Sequence, residues 1–180
     1  MTDAQSDARY LELFPNWLKS LGEDASILAE VLKKEDVPEE AKRSVVGGLN
    51  YIFKSLDLIP DGIDDLGFMD DAFVLRVSAA LAALAHPASD EGRLQRLAED
   101  AMLIQEFLGE DYPRLESYVQ NLRKGAARGR SVDEILDSSS VRDTFMSEVD
   151  AWSKAFVPPT FTRDPKTLIK LKAFLSAKLP

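Results

Sequence analysis

The chain has 180 residues, of which 45% are hydrophobic and 29% are charged, a composition typical of a soluble globular protein. Its 22 basic and 31 acidic residues give a formal net charge of −9, so we expect no nucleic-acid partner. The chain has no cysteine and one histidine, His86. Those counts exclude disulfides, thiol nucleophiles, cysteine-based metal centres and multi-histidine metal sites. The longest uncharged stretch, residues 77–89, is shorter than the roughly 20 apolar residues of a membrane-spanning helix. With no signal sequence at the N-terminus, the pattern predicts a cytoplasmic protein.

Apolar residues recur at helical spacing along most of the chain, beginning near the N-terminus. The first stripe consists of Leu11, Phe14, Leu18 and Leu21. Pro15 lies inside this stripe and predicts a break or restart of the helix. A second, short helix is expected after Asp24.

The next predicted helix runs from about Asp36 toward Ser55, because Asp36 and Glu39 have the spacing of a capping box. Gly47 and Gly48 lie inside it, and each costs about 1 kcal/mol relative to alanine. The expected benefit is a close approach to another helix that a larger side chain would block.

Further helical stripes follow a loop at residues 57–69. They cover residues 73–84, 94–108, 113–122, 141–156 and 165–179, and Ser131 with Glu134 forms another predicted capping box. No segment alternates like a strand. The sequence therefore predicts an all-α, compact multi-helix bundle of about seven to nine helices. A basic, glycine-containing segment at 123–130 predicts a hinge between a helical body, 1–124, and C-terminal helices, 131–180.

The most distinctive segment is the acidic loop, residues 57–71. It carries six aspartates and no basic residue: Asp57, Asp61, Asp64, Asp65, Asp70 and Asp71. Two like charges 6 Å apart repel by roughly 3 kcal/mol at an effective dielectric constant near 20, so solvent, helix N-termini, basic groups or a cation should compensate.

Two interpretations of the acidic loop remain open. In the favoured, structural one, Asp61 and Asp64 form a capping box, and Asp70 and Asp71 begin the next helix, where backbone N–H groups favour acids. In the alternative, Asp57, Asp61, Asp70 and Asp71 are ligands of Mg²⁺ or Ca²⁺, which prefer carboxylate oxygens. The spacing does not match an EF-hand loop.

The same segment resembles a known family. Residues 50–61, Asn-Tyr-Ile-Phe-Lys-Ser-Leu-Asp-Leu-Ile-Pro-Asp, and 66–71, Leu-Gly-Phe-Met-Asp-Asp, are followed by an apolar helix. This pattern resembles the YkvA-like family of bacterial domains (domain of unknown function 1232) over about residues 41–84. The matching motif residues are Asp57, Leu58, Ile59, Pro60, Asp61, Gly67, Asp70 and Asp71. Asp64 departs from it, since relatives usually have a proline there. The resemblance implies a helical hairpin and no established activity.

Two further features complete the sequence. His86 precedes Pro87 and is interpreted as a residue at a helix C-terminus rather than as part of a catalytic arrangement with Ser89 and Asp90. Residues 161–180 contain five basic residues and one acid, a net charge of +4 that leaves −13 for the rest of the chain. The basic helix 165–179 is expected to pack on the acidic body, and contact with an anionic membrane or a partner is the alternative.

We therefore predict an uncharacterised YkvA-like helical protein that acts as a non-enzymatic interaction or scaffold module and needs no cofactor. Its expected partner is a protein, and helix 165–179 could add a peripheral membrane contact. The alternative is a divalent-metal-dependent enzyme acting on a phosphorylated substrate through the acidic loop, with no catalytic residue assigned. Carboxylates of Asp57, Asp61, Asp70 and Asp71 that converge would favour this alternative, and carboxylates used separately as caps would favour the first.

Overall fold

The computed structural model describes residues 3–87 and 92–180, and its regular structure is almost entirely helical. The eight α-helices in these ranges are α1 (Asp3–Val31), α2 (Glu39–Tyr51), α3 (Met69–Ala85), α4 (Gly92–Leu108), α5 (Tyr112–Leu122), α6 (Val132–Asp137), α7 (Ser139–Ala155) and α8 (Pro165–Lys178). A 3-10 turn, Gly109–Asp111, precedes α5. Two short strands, β1 (Ala126–Ala127) and β2 (Arg130–Ser131), form an antiparallel pair. The prediction of an all-α bundle is confirmed.

Helix α1 is continuous from Asp3 to Val31, so the predicted break at Pro15 is wrong. A proline inside a helix costs about 3 kcal/mol, because it removes one hydrogen bond and crowds the preceding turn. The burial of Phe14, Leu18 and Leu21, each at most 1% exposed, offsets that cost. The short helix expected after Asp24 is the C-terminal part of α1.

The two predicted capping boxes have different outcomes. Pro38 occupies the N-cap position of α2 and no side chain caps it, so the box predicted at Asp36 and Glu39 is wrong. The box at α6 is confirmed: Glu134 N–H donates to Ser131 Oγ over 3.1 Å, and Ser131 N–H donates to Glu134 Oε2 over 2.8 Å. The proline moves the start of α2 past Asp36, which leaves that side chain too far from the first turn.

The paired glycines of α2, Gly47 and Gly48, allow the close approach to other helices that was predicted from the sequence. A Cβ atom at Gly48 would lie 2.3 Å from Ser78 Oγ of α3. A Cβ atom at Gly47 would lie 3.1 Å from the backbone nitrogen of Arg123, just after α5. Helix α2 therefore fits between α3 and α5 because both positions lack a side chain.

Aromatic side chains join α1, α3 and α4 at the centre of the bundle. The Phe14 ring meets Phe73 edge-on at 5.3 Å and Phe107 edge-on at 4.9 Å between centroids. Edge-to-face pairs of this kind contribute roughly 0.5–1.5 kcal/mol beyond the area they bury. This cluster fixes the start of α3, from which the acidic loop extends back to α2.

The basic segment 123–130 contains strand β1 and the turn into β2. Its Arg128 guanidinium lies 4.6 Å from the centre of the Phe53 ring, and Arg130 pairs with Glu148 of α7. One hydrophobic cluster includes residues from both sides of this segment, such as Phe73 and Phe145. The division into 1–124 and 131–180 stays a prediction.

Candidate functional site

The acidic loop folds as consecutive turns between α2 and α3. Ile63 N–H donates to the Pro60 carbonyl over 3.0 Å, and Gly67 N–H donates to the Ile63 carbonyl over 2.9 Å. A Cβ atom at Gly67 would lie 2.2 Å from the Asp61 carbonyl oxygen, so this tight fold requires glycine there. No helix begins at Asp61, and the predicted capping box of Asp61 with Asp64 is wrong.

Asp70 ties the acidic loop to α2 through a buried hydrogen-bond network. Its Oδ2 accepts from the Tyr51 hydroxyl over 2.5 Å and from the Ile59 N–H over 3.0 Å. The Tyr51 hydroxyl in turn accepts from the Leu58 N–H over 2.7 Å. The Asp-Leu-Ile-Pro part of the motif is therefore held in place by one tyrosine and one carboxylate.

Asp70 and Asp71 lie in the first turn of α3, where the sequence placed them. The N-cap residue is Phe68, in the left-handed conformation with φ 65°, and it has no side-chain capping bond. Hydrogen bonds from Tyr51 and Ile59, and then from the backbone N–H groups of the first turn, lower the pKa of Asp70 against the larger effect of burial. For Asp70 the structural interpretation thus holds in part.

Asp65 accepts a hydrogen bond from the Thr162 N–H over 2.7 Å, and the backbone of Asp71 lowers the pKa of its own carboxyl against burial. The carboxyl groups of Asp57, Asp61 and Asp70 still lie close enough to Asp71 to repel its charge. Among the described residues, Asp57 Oδ1, Asp70 Oδ1 and Asp71 Oδ2 are buried without a hydrogen-bond partner. The four predicted candidates, Asp57, Asp61, Asp70 and Asp71, are therefore brought together.

We call one group of four residues the acidic centre: Asp57, Asp61, Asp70 and Asp71. Burial is the main cause of the raised pKa of each of these carboxyl groups. Burial, then repulsion by Asp70 and Asp61, raises the pKa of Asp57 to about 7, against the opposing effect of Lys54. Burial raises the pKa of Asp70 to about 6 and that of Asp71 well above its ordinary range. The charged forms of these carboxyl groups are therefore disfavoured relative to those of exposed aspartates.

Two tyrosines border the acidic centre. Burial and the charge of Asp70 raise the pKa of Tyr51 far above its ordinary range. Burial, then the charges of Asp70 and Asp57, raises the pKa of Tyr118 to about 12. The Lys54 amino group lies 5.5 Å from the centre of the Tyr118 ring and 3.4 Å from its hydroxyl. Both tyrosines thus remain neutral hydrogen-bonding groups at physiological pH.

The acidic centre is not a closed metal site as it stands. Within residues 3–87 and 92–180, no three acidic or histidine side chains are placed to hold one metal ion together. The arrangement is instead a group of neighbouring carboxylates, from the exposed Asp61 to the buried Asp71, in which Asp57, Asp70 and Asp71 each have one buried oxygen without a hydrogen-bond partner.

Arg76 is a buried charge that the sequence analysis did not identify. Its Nη2 donates to Asp24 and its Nε to Asp100, both over 3.0 Å, and its Nη1 donates to the Ala72 carbonyl over 3.1 Å. The guanidinium also lies 4.2 Å from the centre of the Trp17 ring. The position of a single arginine among the apolar residues of α3 could have indicated this buried charge. Because all three nitrogens are engaged, Arg76 joins α1, α3 and α4 rather than offering a free binding group.

His86 lies at the C-cap position of α3, where its N–H donates to the Ala82 carbonyl over 3.0 Å. Ser89 and Asp90, the other members of the catalytic arrangement considered above, lie outside the described residues.

Helix α8 buries its apolar stripe against the body of the protein. Leu168, Leu171 and Leu175 are at most 2% exposed. Lys166 and Lys170 are exposed, and Ile169 between them is 65% exposed. None of the helices in the described residues is long and apolar enough to cross a membrane.

Comparison with known proteins identifies one segment. No curated protein and no solved structure matches the chain. A family model described as "Protein of unknown function (DUF1232)" matches residues 41–76, from the first turns of α2 through the acidic loop to Arg76. The matched segment thus contains the whole acidic centre, together with the Tyr51 and Gly48 positions that shape it. This match at residues 41–76 agrees with the resemblance to the YkvA-like family over about residues 41–84.

Proposed function

We propose that the protein is a non-enzymatic interaction module that binds an anionic membrane surface peripherally through the outer face of α8. The observation that carries this proposal is the arrangement of α8 itself. Its leucines are used inside the protein, whereas Lys166, Lys170 and Lys178 remain exposed. Within the described residues no ion pair involves these lysines, although the rest of the chain is strongly acidic.

The charges predict a weak, salt-sensitive interaction. Each lysine near an anionic surface contributes about 1 kcal/mol, so three contribute about 3 kcal/mol. Partial burial of Ile169 would add about 1–2 kcal/mol. The sum corresponds to a Kd on the order of 1 mM in accessible lipid, weakened further by salt, because the Debye length falls from about 10 Å at 0.1 M to about 3 Å at 1 M.

Sedimentation with lipid vesicles, in EDTA, tests this proposal. We expect binding to vesicles of equal parts phosphatidylserine and phosphatidylcholine at low salt, no binding to pure phosphatidylcholine, and release at 0.5 M salt. Lys166→Gln/Lys170→Gln should abolish most of the binding. Lys19→Gln/Lys124→Gln, which removes two exposed lysines elsewhere, is the matched control and should retain it. Absence of binding to the anionic vesicles, or equal loss in both double variants, would contradict the proposal.

The second candidate is a divalent-metal-dependent enzyme acting on a phosphorylated substrate through the acidic loop. Its support is the charge interaction of Asp71 with Asp57, Asp61 and Asp70. Such an enzyme would also need cationic groups for the phosphate. In the described residues, Lys54 is the one base whose charge acts on Asp57, and it lies over tyrosine rings. Hydrolysis of p-nitrophenyl phosphate that requires Mg²⁺ and is lost in Asp57→Asn would support this candidate. No turnover above the rate of that variant would contradict it.

A further inference from the structure

We propose that a cleft between α1, α2 and α7 binds a small amphipathic organic anion, such as an aliphatic carboxylate, with Lys42 and Arg142 as the cationic groups of the site. We call it the α1–α7 cleft. It involves neither helix α8 nor the acidic centre, so it is independent of the proposed membrane contact.

The α1–α7 cleft has the size of a small-molecule site. Its volume is about 960 Å³, within the range of about 300–1,000 Å³ typical of ligand pockets. A hydrogen bond of 2.8 Å between Ser26 and Ser153 joins α1 to α7, and Arg43 pairs with Asp133 over 2.5 Å and joins α2 to α6. Because these contacts hold the surrounding helices together, the cleft is formed before any ligand binds.

Part of the lining of the α1–α7 cleft is apolar. These side chains come from α1, from the turn after it and from α7: Ala29, Leu32, Val37, Met146 and Val149. Val149 is 1% exposed and Leu32 is 5% exposed, whereas Met146 is half-buried. An apolar lining favours a ligand with an apolar part, because binding removes that part from water.

The basic groups of the lining are more buried than the acidic ones. Lys34, Lys42 and Arg142 are half-buried, whereas every acidic residue of the lining is exposed. Among the described residues, the Lys42 side chain makes no ion pair or hydrogen bond, and Arg142 uses only Nη1, which donates to the Leu136 carbonyl over 2.8 Å. The Lys42 ammonium and the other two guanidinium nitrogens of Arg142 are therefore available to an anion.

The acidic residues of the lining limit the charge of the ligand. Three of them are neutralised by basic neighbours: Glu30 by Lys33, Glu39 by Arg43 and Asp150 by Lys154. Three more have no ion pair in the part of the chain that the structure describes: Glu35, Asp137 and Asp143. Their charges would repel a dianion, such as a phosphate monoester, more strongly than a monoanion. The site therefore fits a single negative charge, such as that of a carboxylate.

Methyl NMR of the full chain, isotopically labelled at its methionine methyl groups, tests the binding of octanoate. Met146 lines the cleft, whereas Met102 lies outside it on α4 and is 65% exposed. We expect octanoate to shift the Met146 signal, which Met146→Leu assigns, and to leave the Met102 signal unchanged. Octanamide has the same apolar part without the charge and should bind about tenfold more weakly. No shift of Met146, an equal shift of Met102, or equal affinity for octanamide would overturn the proposal.

Two double variants separate the cleft from the exposed lysines of α8. Lys42→Gln/Arg142→Gln should weaken octanoate binding about tenfold, because both cationic groups are lost. Lys166→Gln/Lys170→Gln is the matched control and should bind octanoate like the wild type. The α8 variant is expected to lose vesicle binding and the cleft variant to keep it, so the two proposals fail independently.

The bond from Arg142 to Leu136 also supports the end of α6, so a second variant leaves it in place. Lys42→Gln alone removes no side-chain contact between described residues and should weaken octanoate binding about threefold. Unchanged affinity in both variants that lack Lys42, or an equal loss in the α8 variant, would refute the site.

Discussion

Replacing Gly48 by alanine should destabilise the protein, although alanine is the better helix former. The propensity difference favours alanine by about 1 kcal/mol. The added Cβ would lie 2.3 Å from Ser78 Oγ and 2.6 Å from Ser78 Cβ, far inside the 3.5–4.0 Å of a normal contact. The hydroxyl can rotate away, but the Ser78 Cβ is fixed to α3, so the two helices must separate.

The net effect follows from these two opposing contributions. Overpacking of a core costs about 1–3 kcal/mol, and an overlap with a backbone-fixed atom belongs at the upper end. Subtracting the propensity gain leaves a loss of about 2 kcal/mol, or about 4–8 °C in melting temperature for a chain of this size.

Urea unfolding followed by circular dichroism at 222 nm measures this loss. Gly92→Ala is the matched control, because Gly92 lies in α4 with no atom within 4 Å of its added Cβ, and it should be neutral or stabilising. Combining Gly48→Ala with Ser78→Gly removes both clashing atoms and should recover most of the loss. If Gly48→Ala is as stable as Gly92→Ala, the close packing of α2 against α3 described above is wrong.

Two other predictions concern buried charges. Arg76→Met should lower the free energy of unfolding by about 3–5 kcal/mol in urea titrations, because Asp24 then remains buried without its partner. Adding Asp24→Leu should recover part of that loss, and a mild effect of Arg76→Met alone would contradict the ion pair. In EDTA, the melting temperature should rise as pH falls from 8 to 5. In the folded state the pKa of Asp57 is raised to about 7 and that of Asp70 to about 6. The folded state therefore takes up protons as the pH falls through this range, whereas the aspartates of the unfolded state stay ionised. Asp57→Asn should reduce that slope, and a melting temperature that falls over the same interval would refute the assignment.

Features that depend on neighbouring residues could be predicted from the sequence. The Ser131 box is such a case, since both of its hydrogen bonds join residues three apart. The cost of the glycine pair in α2 could also be predicted, but the identity of its neighbour Ser78 could not. Pro15 led to a wrong prediction, because the burial of α1 on several sides outweighs the local preference of proline to break a helix.

The candidate site shows the same distinction. The aspartates could be identified as a group, and Asp70 could be placed at the start of α3. Their proximity depends on how the acidic loop folds back, which involves the Gly67 contact and the Tyr51 bond across 19 residues. Arg76 was missed because its partner Asp24 lies 52 residues away, and spacing gives no information about such a pair.

The contacts between α1 and α7 impose an order on folding during synthesis. Ser26 of α1 bonds to Ser153 of α7 over 2.8 Å, although 127 residues separate them. At about 5–20 residues per second, translation of that interval takes on the order of 6–25 seconds. During this time the side of α1 that α7 will cover has no native partner and is available to chaperones or to another nascent chain. The native packing of α1 is completed only after residue 153 has been added.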